Sequence, residues 1–435
     1  MIQNSVQSIT GARRLRVSGL RAAGYVVGAV IFCTPLLCQA QTAPVYTISA
    51  AVGNGTAGFS GDGGAAASAE VNFPASAVLD ASGNLFVADT GNLRIRKVDT
   101  SGKISTLAGT GTNGDTGDKA AATSAEIGSP GGIAVDSSGN IYFSDTARHL
   151  IRKISSGGTI TLFAGTGTLG FSGDTTAYLI AYNKANNITT VALATAAKLD
   201  NPTGIAVDSK GNVYFSDTGN NRIRRVSATD STITTVAGNG TGAYYGDGAG
   251  AAYAELNHPT GLAFDAADNL YIADSLNHRI RKISATDGTI STVAGLGQAG
   301  RADNGGYAVN SLLHYPSSVA VDSAGNLYIA DLINNRIRMV NKAGMISTIA
   351  GNGRFGKSGD GGPALAASMY FPCGVAVDKS GKVYVVDGLN SRIRLLTPDV
   401  SPTSTANSTT DTTSGSTDKS ILPVRRVVTR PPTSF

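Results

Sequence analysis

The stretch YTISAAVGNG, residues 46–55, reads like the last part of a repeating unit, yet it stands ahead of the first complete copy. The unit is plainest from Pro202: PTGIAVD, the turn SKGN, VYFSD, the turn TGNN, RIRRV, the turn SATDST, and ITTVAG ending at Gly238. Short runs of β-forming residues separated by Gly, Asn and Asp turns describe a four-stranded antiparallel meander. The Asp that closes the second run recurs at Asp89, Asp145, Asp217, Asp274, Asp331 and Asp387, a period of 56–57 residues broken once by an insertion between Asp145 and Asp217.

Six such units build either an open solenoid or a closed ring, and the chain ends discriminate between them. The sixth unit stops at SRIRLLTP (391–398) without a fourth run. YTISAAVGNG supplies that run, and the loop behind it, TAGFSGDGG (56–64), matches RFGKSGDGG (354–362). The expected fold is therefore an all-β, six-bladed β-propeller of four-stranded antiparallel blades, closed by an N-terminal strand that completes the last blade. Closure removes the unpaired strand edges that an open array would present to water.

The pattern P-x-G-[IV]-A-V-D, GN-[LIV]-Y-[IVF]-[AS]-D and N-x-R-I-R, in phase across residues 45–398, resembles the NHL repeat family of six-bladed propellers. Some relatives of that fold are enzymes. The resemblance to the amidating lyase implies zinc on histidines from different blades, and the resemblance to gluconolactonase-like propellers implies a divalent metal in the central channel. A hydrolase or lyase is thus the alternative to a binding module. The four histidines His149, His258, His278 and His314 do not repeat a zinc ligand set, and zinc needs three or four placed donors. The only glutamates, Glu70, Glu126 and Glu255, occupy one equivalent position, which points to a repeat-level role in loop hydrogen bonding or helix-like capping. Each GDGG loop offers too few oxygens for calcium by itself, so its Asp is read as part of a solvent-facing turn. No cofactor is expected, with calcium or another divalent ion as the alternative. The GNG and GTG tripeptides open no helix after a parallel strand and are turns, not nucleotide loops.

Residues 1–40 read as a signal peptide: Arg13, Arg14, Arg16 and Arg21 precede an apolar run from Tyr25 to Leu37, with small residues at a cleavage site ending in Ala40. The expected location is secreted, periplasmic or on the cell surface, without stable membrane insertion after cleavage. The tail 399–435, rich in Ser, Thr and Pro, is too polar to build a core. Setting both ends aside leaves 27 Lys and Arg against 27 acids in residues 41–398, so the overall excess of base resides in the ends and gives no ground for nucleic-acid binding. Cys33 and Cys38 leave with the signal, and the remaining Cys373 is expected to be a buried, inert thiol.

A residue that recurs in every blade is most economically a folding requirement. Arg96, Arg152, Arg224, Arg281, Arg338 and Arg394 fill one position without exception; the Arg two places earlier is missing only at Leu150. Each motif Asp is expected to accept turn N–H bonds and to pair with the Arg five residues on, a structural ring of ion pairs. Function is then sought where the copies differ. Three residues before the GD position stand Phe59, Asp115, Phe171, Tyr244, Arg301 and Lys357, a chemically mixed crown. Arg148 and His149 replace the usual Asn-x in blade two, and His278 is the equivalent of His149 in blade four. The crown, with Arg148 and His149, is the candidate ligand surface. Its aromatics suit extracellular protein, peptide or carbohydrate partners, or else pin their own glycine-rich loops.

Overall fold

The computed structural model describes residues 44–174, 193–301 and 304–399. The expected signal peptide, most of the insertion (175–192) and the tail from residue 400 lie outside the described residues.

Six four-stranded antiparallel sheets follow one another along the chain. Blade three shows the plan, with strands Pro202–Val207, Val213–Asp217, Arg222–Val226 and Ile233–Ala237. β-branched and aromatic residues fill these runs because they fit a pleated surface covered on both sides, while turns such as Asp208–Asn212 are closed by the Asp208 carboxylate accepting the Lys210 and Asn212 N–H groups at 3.0 and 2.8 Å. In blade six the strand Tyr46–Val52 lies antiparallel beside Arg392–Pro398, with Tyr46 opposite Pro398 and Ile48 opposite Leu396. The first strands of successive blades touch, and that of blade six touches that of blade one, so the ring is closed.

The core lies between neighbouring blades. Tyr142, Ile151 and Ala164 of blade two, for example, meet Ile205, Phe215 and Val226 of blade three. At the axis the first strands converge on a cavity of about 280 Å³ whose polar side chains are Ser76 and Ser318. The convergence demands small residues: a Cβ on Gly204 would stand 2.1 Å from the Thr260 carbonyl oxygen, and one on Gly132 2.2 Å from that of Thr203.

Cys373, expected to be buried, is half-buried at the seam between blades six and one. Its sulfur points inward onto the carbonyls of Pro74 and Ala75 at 3.4 and 3.5 Å, and burial pushes the thiol up to about 12. It stays protonated and unreactive at neutral pH.

Links between second and third strands emerge on the same face as the links between blades. The N–H of Gly91 donates to Asn72 O, that of Gly219 to Asp200 O, and that of Leu389 to Tyr370 O, at 2.8, 2.9 and 3.2 Å. The interblade loops do not stay on that face. Each descends along the outer edge of the following blade, so that Gly63 N–H donates to Ile104 O at 2.8 Å and Ile104 N–H to Gly64 O at 3.0 Å. The GDGG segment is therefore an edge cover that pairs with the outermost strand.

Candidate functional site

The ring of Asp and Arg holds the largest fully buried polar side chains among the described residues. Asp89, Asp145, Asp217, Asp274, Asp331 and Asp387, with Arg96, Arg152, Arg224, Arg281, Arg338 and Arg394, are all fully shielded from solvent. The expected partner is corrected: Asp217 lies directly opposite Arg222 in the ladder, yet it pairs with Arg224, seven residues on, at 3.1 Å. The same diagonal holds for Asp89 with Arg96 at 3.2 Å and Asp274 with Arg281 at 3.3 Å. Arg222 turns away because its guanidinium stacks on Phe171 and donates to Asn220 O and Asn239 O at 3.2 and 2.6 Å. The signal was present in the sequence: Leu150 breaks the series of Arg222, and nothing breaks that of Arg224.

The GD aspartates do stand on solvent-facing turns, with 27–38% of each side chain exposed, and they also reach inward. Each supplies a second carboxylate to the buried Arg: Asp62 to Arg96 and Asp118 to Arg152 at 2.6 Å, Asp174 to Arg224 at 2.9 Å, Asp247 to Arg281 at 2.7 Å and Asp360 to Arg394 at 2.8 Å. Asp62 also accepts from the Thr106 N–H and hydroxyl, at 3.2 and 2.7 Å, tying the edge loop to the outer strand. In blade five Asn304 stands in this place and accepts from Thr348 N–H at 2.7 Å. Burial pushes the motif carboxyls up, those of Asp145, Asp274 and Asp387 to about 6, against the pull of their hydrogen bonds and the Arg charge.

The six crown positions fall into two groups. The rings of Phe59, Phe171 and Tyr244 lie 3.7, 3.9 and 3.6 Å from the guanidinium carbons of Arg94, Arg222 and Arg279, and just under 5 Å from the buried Arg below. Each ring therefore covers its own blade's Arg pair while staying 40–42% exposed. Blade two lacks both the stacking Arg, replaced by Leu150, and the ring, replaced by Asp115. Arg148 donates to Asn113 Oδ1 at 3.0 Å. Arg301 and Lys357 are exposed cations. The Nη1 of Arg301 and the Nε of Arg336 lie 3.0 and 3.2 Å from where a Cβ on Gly353 would stand.

His149 and His278 act as clasps between blades. His149 Nδ1 accepts from Asn201 N–H at 3.1 Å, and His278 Nδ1 from Tyr315 N–H at 3.2 Å. Asn221 and Asn335 do the same with their Oδ1, accepting from the N–H of His258 at 2.8 Å and of Phe371 at 3.2 Å. All eight residues have positive φ, which aims these groups at each other across the junction. An imidazole can accept at Nδ1 only when that nitrogen is unprotonated. Burial, and then the charges of His314 and Arg279, hold His278 below the usual histidine range. Its stabilising contribution is thus complete above the ordinary histidine pKa of about 6.5 and is lost as pH falls through the depressed folded value. His278→Asn, which keeps the acceptor without the titration, is expected to flatten this part of the stability curve. Melting measured from pH 7.5 to 5 should show a gap opening towards acid, reaching about 1 kcal/mol, the net worth of one hydrogen bond. Parallel curves for the two proteins would refute the clasp as a titrating element.

Among the described residues no three His, Cys, Asp or Glu side chains gather as a metal site, and the channel wall carries no carboxylate. Glu70 and Glu126 instead press their carboxylates against Gly58 and Gly114, where a Cβ would meet them at 2.6 and 2.2 Å. The feature that sequence reasoning missed is the placement of exposed apolar side chains. Val45 apart, every large one among the described residues belongs to an interblade loop or a turn between second and third strands, from Phe59 round to Leu389. No single repeat position announces it, because the contributing positions differ from blade to blade.

Residues 199–226 and 256–283 match the family model described as NHL repeat. The chain is 31% identical over 292 residues to teneurin-3 of Mus musculus, covering 60% of this chain and 10% of the relative. It spans about a tenth of the length of the teneurins it matches. Among solved structures, a protein of unknown function from Bacteroides thetaiotaomicron superposes with a TM-score of 0.57 at 18% identity, over 81% of this chain and 75% of that one. An auxiliary nutrient binding protein of the same organism superposes with a TM-score of 0.56 at 15% identity, over 82% and 77%. At these identities the likeness to both structures is one of fold. No helix among the described residues is long and apolar enough to cross a membrane.

Proposed function

We propose, from the premise that the chain is an NHL-repeat six-bladed β-propeller, that it is a secreted binding module which takes protein, peptide or carbohydrate partners on its loop-bearing side. The observation that carries this reading is the set of exposed large apolar side chains near where the interblade loops and second-to-third turns share a face, among them Phe59, Phe171, Tyr244, Phe355, Tyr370 and Leu389; Leu193, Tyr253, Tyr307 and Leu365 lie further along the same loops, on the outer edge. Water-exposed rings and aliphatics collected on one set of loops over a rigid frame suit recognition. The opposite turns, such as Asp80–Asn84 and Asp99–Lys103, carry polar side chains that close on their own backbone. Secretion rests on the leader-like composition of residues 1–40.

The test is capture of a partner from the extracellular fraction with the purified protein, followed by hydrogen exchange on the complex. Protection is expected in the loops 53–73, 109–129, 238–258, 295–315 and 351–371 and in the turns that adjoin them. Protection centred on residues 80–84, 136–140 and 208–212 would place the partner on the other side and refute the assignment. Mass spectrometry of the native protein should find an N-terminus at Gln41; a retained Met1 would remove the secretory part of the reading.

A further inference from the structure

The loop-bearing side is not chemically uniform around the ring. The loops entering blades one and two, with their second-to-third turns and the Arg opening the third strand, hold the acids Asp62, Glu70, Asp115, Asp118 and Glu126 against Arg94, Lys119 and Arg148. The same elements of blades five and six reverse the balance. By sequence they hold Arg301, Arg336, Arg354, Lys357 and Arg392 against Asp303 and Asp360, and Asp360 is engaged by Arg392 and Arg394 at 2.8 Å each. The Glu found at one position in blades one, two and four is Leu312 in blade five and Ser368 in blade six.

Apolar side chains collect in the same sector. Phe355 is 76% exposed, Tyr370 41% and Leu389 44%. Phe355 and Tyr370 are in ring contact, with centroids 5.8 Å apart and planes tilted by 45°. Leu389 follows them in space, since its N–H donates to Tyr370 O at 3.2 Å, and Asn390 Nδ2 donates to Gly356 O at 2.6 Å, seating the loop against this turn. Arg354 and Lys357 flank Phe355 along the chain, and Arg301 reaches Gly353 from the neighbouring loop. The result is an apolar wedge rimmed by cations.

We infer that this sector of blades five and six is a docking site for an acidic polypeptide segment that carries apolar side chains. The inference rests on the binding-module reading above and names its sector and ligand class. Leu389, and Ile333 on the equivalent turn of blade five, add aliphatic surface. Aliphatic side chains fit Leu and Phe anchors of a peptide and contribute little to stacking on a sugar ring, so the mixture favours polypeptide over an acidic glycan. The cationic rim steers a carboxylate-rich chain and sets its register, while the wedge supplies the anchor.

The experiment titrates the full mature chain with labelled synthetic peptides: one alternating Glu with Leu and Phe, one with Lys in place of Glu, and one of Glu alone, together with polygalacturonate. The Glu/Leu/Phe peptide is expected to bind at least tenfold more tightly than the others and to weaken as salt rises. The variants R301E/R354E/K357E and F355A/Y370A should each lose at least tenfold while melting like the parent, because the altered side chains are exposed. Equal affinity for the Lys peptide or the Glu-only peptide, tighter binding of polygalacturonate, or unchanged affinity in both variants overturns the inference. If affinity falls only in Phe59→Ala, on the loop entering blade one, the sector is wrong and the loop-bearing side stands. Loss confined to K103E/K210E, on the opposite turns, would remove both.

Discussion

Removal of Tyr46–Val52 is expected to abolish the closed monomer. These residues form the outer strand of blade six, and Tyr46, Ile48 and Val52 are almost fully buried, at 4%, 1% and 0% exposure. Tyr46 and Ile48 pack with Met369 and Leu396, and Val52 packs with the blade-one side of the seam through Val71 and Val87. Burying each such side chain is worth about 1.5–3 kcal/mol. Their joint loss is comparable with the about 5–15 kcal/mol that holds a typical domain folded. The deletion also bares the edge of Arg392–Pro398, which would then template intermolecular pairing. Size-exclusion chromatography of the deleted protein should show aggregates or no soluble protein, and a peptide covering residues 44–54 added during refolding should recover monomer. A monomeric deletion product that melts within a few degrees of the parent would show that the ring does not depend on this strand.

Replacing Arg224 with Met is expected to cost about 3–5 kcal/mol, the usual result of removing one partner from a buried ion pair. Arg224 has Asp217 at 3.1 Å and Asp174 at 2.9 Å, and donates to Ser172 O at 3.0 Å. Methionine fills much of the stem's space but leaves the fully buried Asp217 carboxylate without its cation. The double variant R224M/D217N should recover part of the loss, since it removes the orphaned charge. Urea unfolding is the measurement, with Lys342→Met on an exposed turn as a reference within about 0.5 kcal/mol of the parent. A loss no larger than that reference would mean the ring contributes little beyond what water would offer these groups.

How far the site was legible follows from what a repeat reveals. Alternation and turn chemistry locate strands, and the displaced YTISAAVGNG points to ring closure, because both depend on residues near in sequence or on an exact register of copies. Partner choice within the ring was less legible. Asp217 has two Arg within reach, and the nearer along the chain, directly opposite in the ladder, is the wrong one. Arg222 is instead held by the Asn220 and Asn239 carbonyls and the Phe171 ring, and the last contact joins residues 51 apart in sequence. The ion pairs of the GD aspartates were hidden for the same reason, since their partners lie in the third strand of a blade the loop has not yet entered.

The amino-acid sequence by itself determined the all-β class, the six blades, their phase and the strand that closes the circle, since periodicity and turn residues act locally and a repeated local rule compounds into a single global solution. Tertiary structure alone decided which charges meet, which rings serve as lids on buried arginines, and which loops gather Phe355, Tyr370 and Leu389 beside Arg301. Those outcomes depend on distances between side chains from different blades. They come into being only when the inner strands converge on the axis and bring loops from distant parts of the chain to one side.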